Sequence, residues 1–241
     1  MNILIPLAGT TALDDGQIVP LVDVNNKTLL EYVISNVPYQ DEANYVFVVQ
    51  KEDCDKHHLD AVIQLLCPGA AIVRTPGPTQ GQLCSCLMGI EHIENDQPLL
   101  IVNGNQFLFE AIEPVLGRFI ARGVDGGVIT FPNVHPRWSY VRLDADGETV
   151  VETSEKRPIS KHACAGIFYY RRGRHFVEAA KDVIRKRTMV GDQYYVSSTY
   201  NSMILSNKRI VAHEVPAEAF CSLHTPRGVE NFIAALQDRA A

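Results

Sequence analysis

Polar stretches that follow apolar, strand-like runs are the places in this sequence where chemistry could occur. Asn103-Gly104-Asn105 follows the apolar run 99–102, and Gly81 precedes a predicted helix over 82–93. Backbone N–H groups at the start of a helix can meet a base or a phosphate, although an ordinary helix start has the same pattern. The Asn amides could bind a metal weakly, but they bring no charge to it. The His residues show no metal-ligand spacing, so the sequence contains no strong metal motif.

The overall composition excludes several classes of protein. The 241 residues include 22 Lys and Arg against 28 Asp and Glu, and the net charge of −6 disfavours nucleic acid as the main partner. A hydrophobic fraction of 46% is sufficient for a folded core. No run of about 18 apolar residues is present, so we expect no membrane span. The sequence starts without a signal-peptide pattern and its six cysteines are expected to be free thiols, which together favour a cytoplasmic protein.

Strand and helix patterns alternate through the first half of the chain. Buried strands are predicted at 2–7, 45–49, 71–73 and 99–102, with helices at 28–37, 55–66 and 82–93. This βαβ spacing favours a doubly wound sheet with right-handed crossovers. The second half is predicted to contain strands at 126–131, 140–143, 150–152, 165–170 and 210–215 and helices at 174–186, 192–205 and 227–237. Neither a linker nor a repeat is present, so we predict one domain over 1–241.

A family resemblance is carried by several short segments taken in order along the chain. They are Ile5-Pro6-Leu7-Ala8-Gly9, 20–32, Gly81-Gln82-Leu83, 102–107, 138–144, 155–160, 165–169 and 224–230. At this spacing the chain resembles the sugar-phosphate nucleotidyltransferases, or nucleoside-diphosphate-sugar pyrophosphorylases, over nearly its whole length. That family joins an NTP to a sugar phosphate and releases pyrophosphate. The resemblance implies an α/β fold, a three-layer α/β/α sandwich with a mixed, mostly parallel central sheet of the GT-A-like type.

The resemblance also implies where the substrates would bind. A nucleotide-binding half over 1–125 would be followed by a substrate-facing half over 126–241. Glu155 and Lys156 would contact the sugar or phosphate, and Gly166 would bring backbone close to the sugar; a surface ion pair and an ordinary strand glycine are the alternatives. The implied nucleotide-binding residues are Leu7, Ala8, Gly9, Thr10, Gln80, Gly81, Asn103, Gly104 and Asn105.

Several charged residues that the family uses for phosphoryl transfer are replaced in this chain. The glycine-rich loop lacks its second Gly and its Arg, and Val19 stands where a Lys would neutralise the α-phosphate. Asn105 occupies the position of the Mg²⁺-binding Asp, and His224 or a neighbour that of a later acidic residue. Because one lost electrostatic stabiliser often costs about 3 kcal/mol, little of the usual mechanism would remain. A Mg²⁺ cofactor is therefore expected only with an unusual metal site.

Other residues could replace part of the missing charge. Asp14 could hold a cation weakly, or it could belong to a solvated loop. Lys27, Arg74 and Arg137 are candidates for neutralising a phosphate. Trp138 is more often a core residue, although the segment 135–138 is similar to family members that act on capsule-type phosphates.

Three functions remain open at this point. The first is a nucleotidyltransferase that supplies precursors of surface polysaccharide. The second is a pseudoenzyme of the same fold that binds a nucleotide, a nucleotide-sugar or a protein without turnover, which the missing charges favour. The third is a GT-A glycosyltransferase, which usually needs Asp-x-Asp where this chain has Asn103-Gly104-Asn105. The expected partners are a nucleotide with a sugar phosphate, or a nucleotide-sugar, and a second copy of the chain in a homodimer.

Overall fold

The computed structural model of the chain describes residues 1–9, 16–37 and 42–240. The strands are β1 Asn2–Pro6, β2 Asp23–Val24, β3 Lys27–Thr28, β4 Asn44–Gln50, β5 Ala71–Thr75, β6 Leu99–Val102, β7 Gln106–Leu108, β8 Gly126–Pro132, β9 Ser139–Leu143, β10 Val150–Glu155, β11 His162–Tyr170, β12 Ile210–Glu214 and β13 Phe220–Ser222. The helices are α1 Leu29–Ser35, α2 Lys51–His57, α3 Leu59–Leu66, α4 Gln82–Met88, α5 Ile90–Ile93, α6 Ile112–Ala121, α7 Gly173–Arg185, α8 Ser198–Leu205 and α9 Pro226–Ala240.

A nine-stranded mixed sheet runs through the described part of the chain. Its main path is β10-β9-β11-β6-β1-β4-β5, and β8 pairs with β11 and with β12. Strands β6, β1, β4 and β5 are parallel to one another, whereas β11 runs antiparallel to β6, β8 and β9. Among the described strands of this sheet, β10 and β11 run against the rest. The predicted mixed, mostly parallel sheet is therefore confirmed.

The helices cover both faces of this sheet. Ile3 and Ile5 of β1 pack in one core cluster with residues of α1, α3, α6 and α9. Leu4 packs in a second cluster with residues of α4, α5, α7 and α8. Because successive side chains of a strand point to opposite faces, this division places one helical layer on each side of the sheet. The predicted three-layer α/β/α sandwich is confirmed.

The strand β11 changes partner in its middle, and this change opens space beside the sheet. Its first residues pair with β9, and its residues from Ile167 onward pair with β6. The pairing with β8 shifts register between Cys164 and Phe168, and Gly166 between them has a φ of 75°. β6 and β9 therefore lie along the same edge of β11 without continuing one another.

Several predicted boundaries differ from the structure for local reasons. The predicted helix 55–66 divides at His58, whose φ of 54° interrupts the helix, and 82–93 divides at Gly89. The predicted helix 192–205 begins at Ser198, after an isolated bridge between Val190 and Gln193. Helix α6 and the ribbon of β7 with β13 were not predicted.

The start of α1 agrees with its predicted capping box. The Thr28 hydroxyl accepts a hydrogen bond from the Glu31 backbone N–H at 3.2 Å. Strands from both predicted halves enter the central sheet, and the division at residue 125 stays a prediction. Within the described ranges, no helix has the length and apolar character needed to cross a bilayer.

Candidate functional site

A cavity of about 790 Å³ lies at the carboxyl ends of β1 and β6. Strands β4 and β5 extend the sheet on one side of β1, and β6 lies on its other side. The order of the strands therefore reverses at β1. Ligands of open α/β sheets bind at such switch points, outside the carboxyl ends of the strands. The partner change of β11 brings Gly166 and Phe168 to the same cavity. The topology therefore provides one recess that both predicted halves line.

The structure brings most of the predicted nucleotide-binding residues to this cavity. Its lining includes Leu7, Ala8, Gly9, Gly81, Asn103, Gly104 and Asn105. Gln80 is exposed and does not line it; its carbonyl accepts a hydrogen bond from the Tyr194 backbone N–H at 2.9 Å. Thr10 and Asp14 lie outside the described residues. The roles of these residues in binding stay predictions.

Side-chain amides form a chain across the cavity wall. Gln82 Nε2 donates to Asn103 Oδ1, and Asn103 Nδ2 donates to Gln106 Oε1 at 3.5 Å. The Asn103 backbone N–H donates to the Gly166 carbonyl at 2.9 Å, which ties β6 to β11. A Cβ at Gly166 would lie 1.7 Å from Gln106 Oε1, so a glycine is needed for this approach. The sequence motifs contained both glutamines but gave no reason to assign them to the site.

Asn105 and His224 meet although they are far apart in the sequence. Asn105 Nδ2 lies 3.3 Å from His224 Nδ1 at the cavity. The two positions where the family resemblance implies acidic residues are therefore neighbours. An amide and an imidazole do not fit Mg²⁺, which prefers carboxylate oxygens. Over the described parts of the chain, no group of three His, Cys, Asp or Glu residues could hold a metal ion.

Val19 makes the adjacent wall apolar. It begins the short 3₁₀ turn Val19–Leu21, is only 2% exposed and lines the cavity. The position implied for the α-phosphate Lys therefore carries a buried aliphatic side chain. No positive charge reaches a bound ligand from this turn.

Two cationic side chains, those of Lys156 and Arg137, also line the cavity. Lys156 Nζ lies 5.0 Å from the centroid of the Tyr195 ring, and the Arg137 guanidinium lies 4.3 Å from that of Trp138. Stacking on an aromatic ring orients a cation without neutralising it, so both charges can still act on an anionic ligand. Of the other two candidate cations, Lys27 lies 3.8 Å from Glu31, and Arg74 lies 2.7 Å from Asp60. Neither lines this cavity.

Glu155 is buried beside Lys156 and forms hydrogen bonds with two hydroxyls. Ser139 and Ser197 both donate to Glu155 Oε2, the latter at 3.0 Å. Burial raises the pKa of Glu155, and the two hydrogen bonds and the nearby Lys156 oppose that rise. Glu155 therefore does not belong to a surface ion pair. The sequence could not show that these serines contact Glu155. Ser139, for example, meets Glu155 only because β9 pairs with β10.

Glu155→Gln is expected to stabilise the protein at pH 7 more than at about pH 4. The pKa of Glu155 is higher in the folded protein than in the unfolded chain. The stability of the unmodified protein therefore falls as the pH rises from the unfolded pKa through the folded one, and the Gln variant does not share this loss. Gln keeps an oxygen that can accept from Ser139 and Ser197 but carries no charge. Urea unfolding of both proteins at the two pH values measures the difference. An equal difference at both values would contradict the prediction.

Comparisons with known proteins show the family of the chain and support its fold. The family model "Nucleotidyl transferase" matches residues 13–204, which is more than half of the chain, and the chain therefore belongs to that family. A nucleoside-diphosphate-sugar pyrophosphorylase from Vibrio cholerae superimposes with a TM-score of 0.81 at 20% identity, over 96% of this chain and 99% of the other. A Bacillus anthracis protein assigned as a glucose-1-phosphate thymidylyltransferase, solved with a sucrose, gives 0.75 at 16% identity, over 99% and 96%. At these identities the two structures support the fold alone. No curated protein matches the sequence.

Proposed function

We propose that the cavity binds a nucleotide-activated sugar, or the nucleotide and sugar phosphate that form one, without efficient transfer between them. The observation that carries this proposal is the Asn105–His224 pair, 3.3 Å apart where the family resemblance implies acidic residues. An enzyme that transfers phosphoryl groups depends on positioning and on charges that stabilise the transition state. The pair lines that part of the cavity but supplies no negative charge for a metal ion.

The rest of the cavity supports ligand binding. Its volume of about 790 Å³ is suitable for a small-molecule ligand. The amides of Gln82, Asn103 and Gln106 supply donors and acceptors for a base or for sugar hydroxyls. Lys156 and Arg137 supply positive charge for phosphates from the side of β9 and β10.

An active transferase is the second candidate function. It is favoured by the family membership and by the two cations, which could take over part of the electrostatic work of the missing residues. The GT-A glycosyltransferase alternative has less support, because Asn103 and Asn105 provide no carboxylate at the end of β6. A cytoplasmic location, a role in surface polysaccharide and a homodimer stay predictions.

Thermal unfolding with and without ligands tests the proposal. UDP-glucose, dTDP-glucose and CDP-glucose, each with and without Mg²⁺, should include at least one that raises the melting temperature. A ligand at about 100 times its dissociation constant adds about 2.7 kcal/mol, which corresponds to roughly 5–10 °C for a chain of this size. Pyrophosphate release from an NTP panel with sugar 1-phosphates is measured in parallel and is expected to stay at background.

Matched lysine variants connect the binding to the cavity. Lys156→Gln should reduce the thermal shift, whereas Lys161→Gln, an exposed lysine that does not line the cavity, should leave it unchanged. Rapid pyrophosphate release would replace the proposal with the active transferase. Binding of none of these ligands at millimolar concentration, or equal shifts in both variants, would refute the assigned site.

A further inference from the structure

A second cavity, of about 470 Å³, lies next to the main one. The two cavities share Arg137, Trp138 and Ser222, so this short wall separates them. Beyond the wall, the second cavity is lined by the start of α9, including Arg227, and by Asn133 at the end of β8. Nothing in the proposed function uses this space.

The lining of the second cavity is positively charged. It includes the guanidinium groups of Arg137 and Arg227 and contains neither Asp nor Glu. In the described ranges, neither arginine forms an ion pair with a carboxylate, and Arg137 is instead stacked on Trp138. Guanidinium groups bind phosphate through paired hydrogen bonds, and unpaired ones in a recess are well suited to it. The charge of this cavity therefore favours a phosphate-bearing ligand.

Aromatic packing holds the shared wall in place. The ring centroid of Trp138 lies 5.5 Å from that of Phe131 and 5.3 Å from that of Phe220, both edge to face. Phe131 and Phe220 in turn stack at 3.9 Å. Since Arg137 rests on Trp138, its guanidinium is oriented before any ligand arrives. Such preorganisation reduces the ordering that binding requires.

The start of α9 packs closely against β13. A Cβ at Gly228 would lie 2.1 Å from the Ser222 carbonyl oxygen, so the first turn packs directly on that strand. The Gly228 backbone N–H donates to Thr225 Oγ1 at 3.1 Å, which caps the turn. Arg227 therefore extends from a well-defined helix start into the cavity, where the helix dipole also favours an anion.

We propose that the second cavity binds a phosphate group between Arg137, Arg227 and the first turn of α9. The phosphate belongs either to a separate small molecule or to the far end of a ligand whose other part occupies the main cavity. Because the wall is shared, Arg137 contacts anions on both sides. The site itself does not depend on turnover or on nucleotide binding in the main cavity.

Titration with inorganic phosphate and with pyrophosphate, followed by calorimetry at low salt, tests this site. We expect one site per chain whose affinity falls as salt is added. Arg227→Gln should weaken binding about tenfold or more. Arg174→Gln removes a guanidinium from the same position of another helix, the second residue of α7, and should leave the affinity unchanged. Lys156→Gln, which changes only the main cavity, should also leave this binding intact.

The outcomes of these titrations separate the two sources of the phosphate. If phosphate and a nucleotide-sugar bind at the same time, the ligand is a separate molecule. If they exclude each other and Arg227→Gln weakens both, the phosphate is the far end of the main ligand. Absence of phosphate binding at tens of millimolar, or equal affinities of the Arg227 and Arg174 variants, would overturn the proposal. Loss of binding with Lys156→Gln alone would place the phosphate in the main cavity and would overturn it as well.

Discussion

Gly81→Ala is expected to lower the free energy of unfolding by about 3 kcal/mol and to weaken ligand binding in the main cavity. Gly81 has a φ of 101° and a ψ of 170°. Residues other than glycine rarely adopt this backbone conformation, and holding an alanine in it costs about 1–3 kcal/mol of stability. A Cβ there would also lie 2.5 Å from the Tyr194 carbonyl oxygen and 2.7 Å from its nitrogen. Because these atoms are backbone, the loop and the start of α4 must move apart, and overpacking of this kind typically costs about 1–3 kcal/mol.

Denaturant unfolding measures the change, and Gly77→Ala is its matched control. Gly77 precedes the same helix, but no atom lies within 4 Å of a Cβ added there. Its substitution is expected to change stability by less than about 1 kcal/mol. Since Gly81 and Gln82 both line the cavity, the displacement should also reduce the thermal shift caused by a nucleotide-sugar. Equal stability of the two variants would contradict the close approach of Gly81 to Tyr194.

Asn105→Asp combined with His224→Asp is expected to create Mg²⁺-dependent nucleotide binding. The two side chains meet at 3.3 Å, so two carboxylates there would repel each other until a cation binds between them. Mg²⁺ prefers such oxygen ligands and bridges to phosphates. We expect nucleotide affinity to rise about tenfold or more, roughly 1.4 kcal/mol, with Mg²⁺. With a chelator the double variant should instead be less stable than the unmodified protein.

Calorimetry with and without Mg²⁺ measures this gain. Asn207→Asp combined with His58→Asp makes the same change of charge at exposed positions outside the cavity, and it should show no gain. Each single cavity variant should give only part of the effect, because one carboxylate holds Mg²⁺ weakly. If the double variant and its control behave alike, the positions of Asn105 and His224 are not those of a metal site.

Much of the fold could be predicted from local patterns. Continuous apolar runs such as 99–102 predict strands buried on both faces, and this strand appears with its predicted bounds. Asn103, which directly follows β6, and Gly81, which precedes α4, could also be assigned to a site, because the family resemblance implies nucleotide binding there, and both line the cavity. The short ribbon of β7 and β13 escaped prediction because each strand has only three residues and needs its distant partner.

The sequence by itself determined the layered α/β architecture and placed the uncharged residues Val19 and Asn105 where the family resemblance implies charged ones, since both follow from residue types and their order. Only the tertiary structure decided that Asn105 touches His224, that Glu155 is buried between two serines, and that Arg137 and Arg227 face one cavity. Each of these depends on which strands pair and in what register. Pairing between residues far apart in the chain leaves no periodic pattern in the sequence, because it results from the packing of whole elements.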